Sequence, residues 1–344
     1  MKTLLLHDTE QDIKTAGEIL RNGGLVGIPT ETVYGLAANA LDGRAVAEIF
    51  KAKGRPMDNP LIVHIADIED IARFSLVSEF PEKARLLAEK FWSGPLTIIL
   101  PKGSSIPDEV SAGLDTVAIR FPSHPLAQKI IKSAGVPLAA PSANLSGSPS
   151  PTTAAHVMND MDGRINAVVD GGECSVGLES TVLTLASDPP RLLRPGGITA
   201  EQLEAVIGKI AIDDAVLNKL RDGEKAASPG MKYKHYAPKA RVIMLRGSDS
   251  GYINYVNNHK IEAAAALCYD EDMKSLTLKA FSLGKRGDYS SQAHRLFSSL
   301  RAIDRDESVK LVYARCPSPK GVGMAVYNRL IRAAGFEVID LEKL

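Results

Sequence analysis

The spacing of apolar residues predicts an alternation of helices and strands over the first two hundred or so residues. Ile13, Ala16, Ile19 and Leu20 recur at the spacing of one helical face. Further helices are predicted over 44–54, 81–92, 124–135, 152–161 and 199–208. Strand-like apolar runs are LVGIP, NPLIVHI, LTIILP, TVAIRFP, PLAAPSA, AVVDGG, STVLTL and RLLRPGG. Because some of these runs follow one another directly and others are separated by helices, we expect a twisted mixed sheet with flanking helices.

The pattern becomes simpler from Ala240 onward. The runs RVIMLRG, AAAALCY, SLGK, KLVYAR and EVIDL alternate with helical segments, the longest of which covers 290–306. This alternation predicts a small, Rossmann-like parallel α/β domain of roughly 105 residues. The stretch between the two patterns has little sustained apolar periodicity. The predicted organisation is a first domain over 1–208, a linker or lid over 209–239 and a second domain over 240–344.

Composition and charge narrow the classes of function. Lys plus Arg and Asp plus Glu each number 41, so the formal net charge is zero. A protein that works mainly by coating nucleic acid is strongly basic, and any contact with nucleic acid would here depend on local clusters of cations. The hydrophobic content of 44% is sufficient for a packed core.

The N-terminal sequence and the cysteines indicate a cytoplasmic protein. MKTLLLHDTEQD has too short an apolar run for a signal peptide. No apolar stretch approaches the roughly 18–20 residues that span a bilayer. Cys174, Cys268 and Cys316 are far apart and form no CxxC pair, so we expect neither a disulfide framework nor a zinc site. Each cysteine is predicted to be a small buried apolar side chain.

Three short segments, far apart in the chain, share one chemical character. They are GIPTETVYG (27–35), KAKGRPMDNP (51–60) and AAPSANLSG (139–147). Each combines Gly or Pro with hydroxyls, amides or cations, and each adjoins a strand-like run. This composition predicts a pocket for an anionic, hydroxyl-bearing ligand, built from loops at strand ends.

The cations of the second segment favour an anion site. Lys53 and Arg55 flank Gly54, where the preceding helix is predicted to end. A guanidinium offers a planar fork to phosphate oxygens, and an ammonium offers a point charge. Charges at a helix end often only complement its dipole. Here the run continues beyond the helix, where the dipole no longer explains it.

Other residues near strand ends are more ambiguous. The threonines of the first segment can bind a carboxylate or phosphate, with Glu31 ordering a cation or the loop, or they can satisfy a local turn. Ser142 and Asn144 add directed hydrogen bonds to a segment of small side chains. Arg120 stands inside a strand-like run, and its burial would require an anionic partner. His64, among apolar neighbours, is typical of a core histidine.

Seven motifs, in this order, resemble those of the YrdC-type threonylcarbamoyl-AMP synthases. They are PTETVYGLAANA, KAKGRPMDNPLIVH, WSGPLTIIL, VAIRFPSHP, APSANLSG, LESTV and LLRPGGI. The downstream SPGMKYKHYAPKA and the second domain resemble the long form of that family. The resemblance implies a YrdC-like first domain and the condensation of L-threonine, bicarbonate or CO2 and ATP to threonylcarbamoyl-AMP and diphosphate. It also implies a partner transferase complex that modifies the adenosine next to the anticodon of tRNA.

The resemblance also implies roles for individual residues. The residues implied to hold threonine are Thr32, His64, Arg120, Ala140 and Ser180. Those implied to contact the nucleotide are Lys53, Arg55, Asn59, Thr116, Ser142, Ser150, Arg194 and Tyr233. Lys53 and Arg55 are the predicted catalytic residues. No residue is assigned to a metal, although Mg2+ is expected to accompany ATP.

Several alternatives stay open at this point. The basic segment 228–241 is either a solvated tether or a lid over the nucleotide to which Tyr233 contributes. The whole chain could instead be a non-catalytic module that binds double-stranded RNA or tRNA. A carbamoyl-adenylate-forming enzyme that uses carbamoyl phosphate is disfavoured, because the chain has no acylphosphatase-like or zinc-finger-like extension. The second domain could be regulatory or structural, and its GVGMAVYNR segment is more typical of a plain helix start than of a ligand site.

Overall fold

The computed structural model describes residues 2–218 and 236–344. The helices in these ranges are α1 (Glu10–Arg21), α2 (Gly43–Lys53), α3 (Asp70–Arg73), α4 (Glu82–Phe91), α5 (Asp108–Ser111), α6 (Pro125–Ala134), α7 (Ala154–Met161), α8 (Ala200–Ile207), α9 (Asp249–Asn258), α10 (Tyr289–Arg305) and α11 (Val322–Ala333). Short 3-10 helices cover Asp214–Val216, Asp270–Ser275 and Leu341–Lys343. No helix within the described ranges combines the length and the apolar character that crossing a membrane would require.

The strands belong to two sheets. The first sheet contains β1 (Leu4–Leu6), β2 (Val26–Ile28), β3 (Gly35–Asn39), β4 (Ile62–His64), β5 (Leu96–Pro101), β6 (Thr116–Arg120), β7 (Leu138–Ala139), β8 (Ala167–Val169), β9 (Thr181–Thr184), β10 (Arg191–Arg194) and β11 (Ala211–Ile212). The second contains β12 (Arg241–Arg246), β13 (Ala264–Cys268), β14 (Lys279–Ser282), β15 (Leu311–Arg315) and β16 (Val338–Asp340).

The first sheet is mixed, as its sequence predicts. Its order is β1-β8-β2-β3-β7-β4-β6-β5-β9-β10-β11. Strand β4 runs parallel to β6 and antiparallel to β7, and β5 runs antiparallel to β6. The short strand β11 falls within the segment predicted as a linker, yet it pairs in parallel with β10 and extends this sheet.

The second sheet is parallel throughout, which confirms the predicted parallel α/β arrangement. Its order is β14-β13-β15-β12-β16, and every pair in it is parallel. Its core also receives two residues of the first part of the chain, because Val33 and Leu178 pack among the buried side chains of β12, β13 and α10. Loop residues of the first part of the chain therefore contribute to the core of the second sheet.

The alternation of side chains along β4 and β6 decides where a polar site can lie. Val63 and Ile119 point into the main core of the first sheet. Since successive strand residues face opposite sides, Ile62 lies on the other face, in a smaller buried cluster. His64 and Arg120 pair in register at the ends of the two parallel strands. These polar residues consequently share the face of the smaller cluster.

Helix α2 ends where the second cationic segment begins. The Asp42 carboxylate caps its start by accepting a hydrogen bond from the backbone N–H of Arg44 at 2.9 Å. Gly54 ends it in the left-handed region, with φ of 61°, a conformation that glycine adopts without steric cost. This turn directs Lys53 and Arg55 along different paths.

Candidate active site

The three segments singled out in the sequence meet at one cavity. It is lined by Thr30, Thr32, Val33, Gly35, Arg55, Ile62, His64, Arg120, Ala140, Pro141, Ser142, Asn144, Glu179, Ser180, Arg194 and Tyr236. All three segments contribute, and the guanidiniums of Arg55 and Arg194 border the same hollow. Of the residues assigned by resemblance, Lys53, Asn59, Thr116 and Ser150 are not among the lining side chains. Tyr233 lies outside the described residues.

A buried ion pair forms one wall of this cavity. Nη2 of Arg120 lies 2.9 Å from Oε1 of Glu31, and both side chains are buried. The angle of this contact is not that of a hydrogen bond. Within the described residues, both carboxylate oxygens of Glu31 and Nε and Nη2 of Arg120 lack a hydrogen-bond partner. Buried groups of this kind are normally satisfied, so the pair is suited to a ligand that carries both a carboxylate and a donor.

His64 is held neutral beside this pair. Its Nδ1 lies 3.1 Å from the carbonyl oxygen of Ile62. Burial, followed by the nearby charge of Arg120, lowers the pKa of His64 to about 3. The imidazole is therefore uncharged at neutral pH, and it adds hydrogen-bonding capacity without adding a second cation.

The threonines of the first segment divide between a local and a ligand-facing role. The hydroxyl of Thr30 accepts from the backbone N–H groups of Thr32 and Val33 and donates to the carbonyl of Val33 at 2.6 Å. It thus closes a local turn, as one of the two alternatives predicted. The hydroxyl of Thr32 lies 2.8 Å from that of Thr30 and faces the cavity.

Lys53 holds the third segment (139–147) in place through hydrogen bonds to its backbone. Its ammonium donates to the carbonyl oxygens of Ser142 and, at 2.6 Å, Asn144. Burial, with Arg55 as a further cause, holds the pKa of Lys53 well below its usual value. The Ser142 hydroxyl donates to Oδ1 of Asn144 at 2.5 Å, and Nδ2 of Asn144 donates to the carbonyl of Ser148 at 2.8 Å. Lys53 therefore shapes the loop, and its catalytic role stays a prediction.

Arg55 reaches the cavity from the other side of Gly54. Its guanidinium lies 5.8 Å from the centre of the Phe50 ring, and Nη2 donates to the carbonyl of Asn59 at 3.4 Å. The side-chain amide of Asn59 is buried and has no hydrogen-bond partner within the described residues. Thr116 begins β6, at the opposite end of that strand from Arg120. The predicted nucleotide contacts of Asn59 and Thr116 stay predictions.

Arg194 and Ser180 form a second wall of the cavity. Nε of Arg194 donates to the carbonyl of Ser180 at 3.0 Å, and Nη2 donates to its hydroxyl at 3.1 Å. The same hydroxyl lies 2.7 Å from that of Thr97. Burial lowers the pKa of Arg194 to about 10, so the side chain stays cationic at neutral pH. A threonine-assigned residue and a nucleotide-assigned residue are thus in direct contact.

Two polar lining residues, Glu179 and Tyr236, received no role from the sequence. Glu179 accepts from the Ser150 hydroxyl at 2.5 Å. Burial raises its pKa, but the charges of Arg329 and Arg194 and the Ser150 hydrogen bond outweigh burial and leave the pKa below its usual value. Tyr236 is buried, and burial raises its pKa. The sequence signal for Tyr236 is its position in KYKHYAPK, a motif in which the resemblance implies a role only for Tyr233.

The described residues offer no protein-only metal site. No group of three His, Cys, Asp or Glu side chains within 2–218 and 236–344 is arranged to hold an ion. The acidic residues lining the cavity, Glu31 and Glu179, are engaged with Arg120 and Arg329.

This fold and this cavity define an α/β enzyme that holds a small anionic substrate between loops at strand ends. The family described as "Telomere recombination", the Sua5/YciO/YrdC family, matches residues 18–196. The family described as "Threonylcarbamoyl-AMP synthase, C-terminal domain" matches residues 198–335. The chain belongs to the threonylcarbamoyl-AMP synthase family, which confirms the resemblance seen in its motifs.

Curated relatives match over almost the whole chain. A threonylcarbamoyl-AMP synthase of Pyrococcus abyssi is 48% identical over 338 residues, which cover 96% of each chain. One of Bacillus subtilis is 47% identical, with 97% of this chain and 96% of the relative covered. One of Schizosaccharomyces pombe is 38% identical, with 95% and 89% covered. These relatives support the catalytic hypothesis and not the alternative of an RNA-binding module.

Solved structures agree with this assignment. The crystal structure of P. abyssi Sua5 complexed with L-threonine superimposes with a TM-score of 0.90 and 44% identity, and the match covers 99% of each chain. A variant of the same protein gives a TM-score of 0.91 and 43% identity, with 98% of each chain covered. The similarity therefore extends to both sheets.

Proposed function

We propose that this protein condenses L-threonine, bicarbonate or CO2 and ATP to L-threonylcarbamoyladenylate, with release of diphosphate. The observation that carries the proposal is the single cavity in which Arg120 and His64 lie near Arg55 and Arg194. One half suits an amino acid with a hydroxyl, and the other suits a polyphosphate. The relative solved with L-threonine supports the first half.

The threonine end is built around the buried pair of Arg120 and Glu31. The free N–H groups of Arg120 are suited to the substrate carboxylate, and the Glu31 oxygens to its amine. Thr32 and Ser180 offer hydroxyls for the side chain. The threonine amine must be neutral to form a carbamate, either from CO2 with release of a proton or from bicarbonate with release of water. His64, uncharged at neutral pH, offers a ring nitrogen there as a hydrogen-bonding group.

The nucleotide end supplies cations. A carbamate oxygen attacks the α-phosphorus of ATP in line, the new O–P bond forms, and the bond to the departing diphosphate breaks. No protein nucleophile is required, so catalysis depends on positioning and on offsetting the charge of the phosphates. Arg55 and Arg194 carry the required charge, and Ser142 offers a hydroxyl. Mg2+ belongs to the proposal as part of the MgATP substrate, bound through phosphate oxygens.

The product's chemistry also places the reaction in a sequence. Threonylcarbamoyl-AMP is a reactive mixed anhydride, so a transferase that places the threonylcarbamoyl group on tRNA must consume it. We include a downstream tRNA threonylcarbamoyl-transferase complex in the proposal, and direct tRNA contact by this chain is not required by it.

One mixture tests the proposed reaction. Purified full-length protein, MgATP, L-threonine and bicarbonate are incubated, and the products are separated and weighed by mass spectrometry. We expect the threonylcarbamoyl adenylate and diphosphate, and we expect omission of any one substrate to abolish the adenylate. A complete mixture that yields no adenylate, together with tight, salt-sensitive RNA binding, would favour the non-catalytic alternative.

Substrate competition tests the threonine end separately. A site that hydrogen-bonds a substrate hydroxyl rejects analogues without it by about 10⁴-fold or more, whereas a methyl difference is worth only about 10–200-fold. Serine should therefore be the strongest competitor and valine a poor substrate. Equal use of valine and threonine would contradict the assigned pocket.

A further inference from the structure

A buried arginine of the second domain reaches the wall of the cavity. Arg329 lies on α11, and its side chain is fully buried. Nε donates to Oε2 of Glu179 at 3.0 Å, and Nη2 donates to the Glu179 carbonyl at 3.3 Å. Nη1 donates to the carbonyl of Pro195 and, at 3.2 Å, to Oδ1 of Asn328. One guanidinium therefore joins two separate segments of the first domain.

Both of these segments carry residues of the proposed site. Glu179 immediately precedes Ser180, and Pro195 immediately follows Arg194. The other carboxylate oxygen of Glu179 accepts from Ser150. Arg329 thus contacts the neighbours of Ser180 and Arg194 without lining the cavity itself.

We propose that Arg329 is a positioning residue for the nucleotide half of the cavity, neutralising Glu179 so that Arg194 stays available to the phosphates of ATP. This inference rests on the proposed function. It assigns the second domain an indirect part in the reaction, because the cation that neutralises Glu179 in the cavity wall comes from α11.

The physical reason is the cost of an uncompensated buried carboxylate. Removing one partner of a buried ion pair leaves the other charge unpaired in a poorly solvated site. Without Arg329, Glu179 would attract the guanidinium of Arg194, which lies beside it in the wall, and would repel the anionic phosphates. Both effects weaken ATP binding more than threonine binding, because the threonine carboxylate has its own partner in Arg120.

Steady-state kinetics of the full-length protein test this assignment. We expect Arg329→Met to raise the KM for ATP at least about tenfold more than the KM for threonine. Arg329→Lys retains the charge and should stay within about threefold of the wild type. Arg332→Met is the matched control, because Arg332 lies one turn further along α11 and donates at 2.6 Å to the carbonyl of Ala215, outside the cavity lining.

A double variant separates charge from packing. Removing the carboxylate charge in Glu179→Gln combined with Arg329→Met should recover at least about tenfold of the loss in ATP affinity seen with Arg329→Met. A purely structural role would give no such recovery. The inference is wrong if the double variant is as impaired as Arg329→Met, or if Arg332→Met raises the KM for ATP equally.

Binding of a non-hydrolysable ATP analogue, measured by calorimetry on the same variants, keeps the two proposals distinct. Wild-type protein that binds the analogue but forms no adenylate would refute the proposed function. The ratios among the variants would still test Arg329. If the circular dichroism of a variant differs from that of the wild type, Arg329→Lys is used in its place. Adding Glu179→Gln to Arg329→Lys should weaken binding of the ATP analogue rather than restore it.

Discussion

At the scale of single residues, Lys53 and Arg55 show how one glycine separates two uses of positive charge. Lys53 ends α2 and turns inward, where its ammonium donates to loop carbonyls. Arg55 follows the left-handed Gly54 and borders the cavity. The sequence makes the two cations look equivalent. Only the direction of the chain after Gly54 distinguishes loop support from contact with a ligand.

The substitutions Arg55→Ala and Lys53→Met should therefore have different effects on turnover and on stability. Losing a preorganised cation costs roughly 10²–10³ in rate, so Arg55→Ala should lower turnover by that range with little change in melting temperature. Lys53→Met leaves buried carbonyls of the 139–147 loop without a donor and should also destabilise the protein by about 1–3 kcal/mol. Diphosphate release and thermal melting of both variants make the comparison. Near wild-type turnover of Arg55→Ala would remove Arg55 from the mechanism.

His64 should make the protein sensitive to acid. The unfolded chain protonates this imidazole near its ordinary pKa of 6.5, whereas the folded protein does so only near 3. Stability is therefore complete above about pH 6.5 and falls as the pH drops toward 3, by about 2 kcal/mol at pH 5. In His64→Gln, the loss of unfolding free energy between about pH 7.5 and pH 5 should be smaller by this amount.

Urea unfolding at the two pH values measures that difference. Other groups titrate identically in both proteins, including His156, whose pKa burial lowers to about 4. Comparing the change with pH, rather than the absolute stability, removes any effect of the substitution on packing. Equal pH dependence in both proteins would show that the pKa of His64 is the same in the folded and the unfolded chain.

At the scale of elements, two glycines are required for opposite reasons. Gly135 ends α6 with φ of 69°, and a Cβ there would meet no atom of the described residues within 4 Å. Gly196 follows β10, and a Cβ there would lie 2.3 Å from the backbone nitrogen of Thr181. The first position needs only glycine's conformational freedom. The second needs its small size, because backbone cannot yield as a flexible side chain can.

We expect Gly196→Ala to reduce activity far more than Gly135→Ala does. The added methyl would force apart the segments that carry Ser180 and Arg194, and a displacement of about 1 Å at a reacting centre can cost roughly a hundredfold in rate. Gly135→Ala should cost about 1 kcal/mol of stability and leave turnover unchanged. Turnover and melting temperature of the pair test the argument, which fails if both variants keep wild-type kinetics.

The elements that could be predicted were those with a complete local signal. The helix predicted from the spacing of Ile13, Ala16, Ile19 and Leu20 is α1, and the segment 290–306 is α10 shifted by one residue. Strands β1, β3 and β11 were missed, and β14 begins three residues before the predicted run SLGK (282–285), with only Ser282 in common. Strand β3 consists of Gly, Leu, Ala and Asn within the loop motif, and it becomes a strand because it pairs with β2 and β7. Such pairing is a tertiary effect that local propensity does not contain.

The site was predictable in its chemistry but not in its geometry. The loop motifs indicated which segments converge. They could not indicate that Lys53 faces a loop, that Tyr236 enters the cavity, or that Glu179 receives a cation from a helix 150 residues away. The Lys53 contact depends on packing within the first domain, and the other two depend on how the second domain docks on the first. Docking is decided by contacts between residues far apart in the chain, for which periodicity gives no signal.

At the scale of the whole molecule, a second arginine of the second domain links that domain to the first domain. Arg301 on α10 forms a bidentate pair with Asp160 on α7, at 3.0 and 2.7 Å, and both side chains are buried. It also donates to the carbonyls of Pro149 and Ser150, at 2.6 and 3.3 Å. Val33 adds apolar contact to the second core. The two sheets are therefore expected to unfold together.

The substitution Asp160→Asn should uncouple the unfolding of the two sheets. The substitution leaves the Arg301 charge buried without its carboxylate, which costs about 3–5 kcal/mol, and the carbonyls alone do not replace it. We expect scanning calorimetry to show one transition for the wild type and two separated transitions for Asp160→Asn. Asp8→Asn is the control, because Asp8 pairs with Lys129 at the surface and such exposed pairs contribute about 0–1 kcal/mol. If both variants melt alike, the interface is held by apolar packing, since the charged pair then adds nothing to the coupling between the sheets.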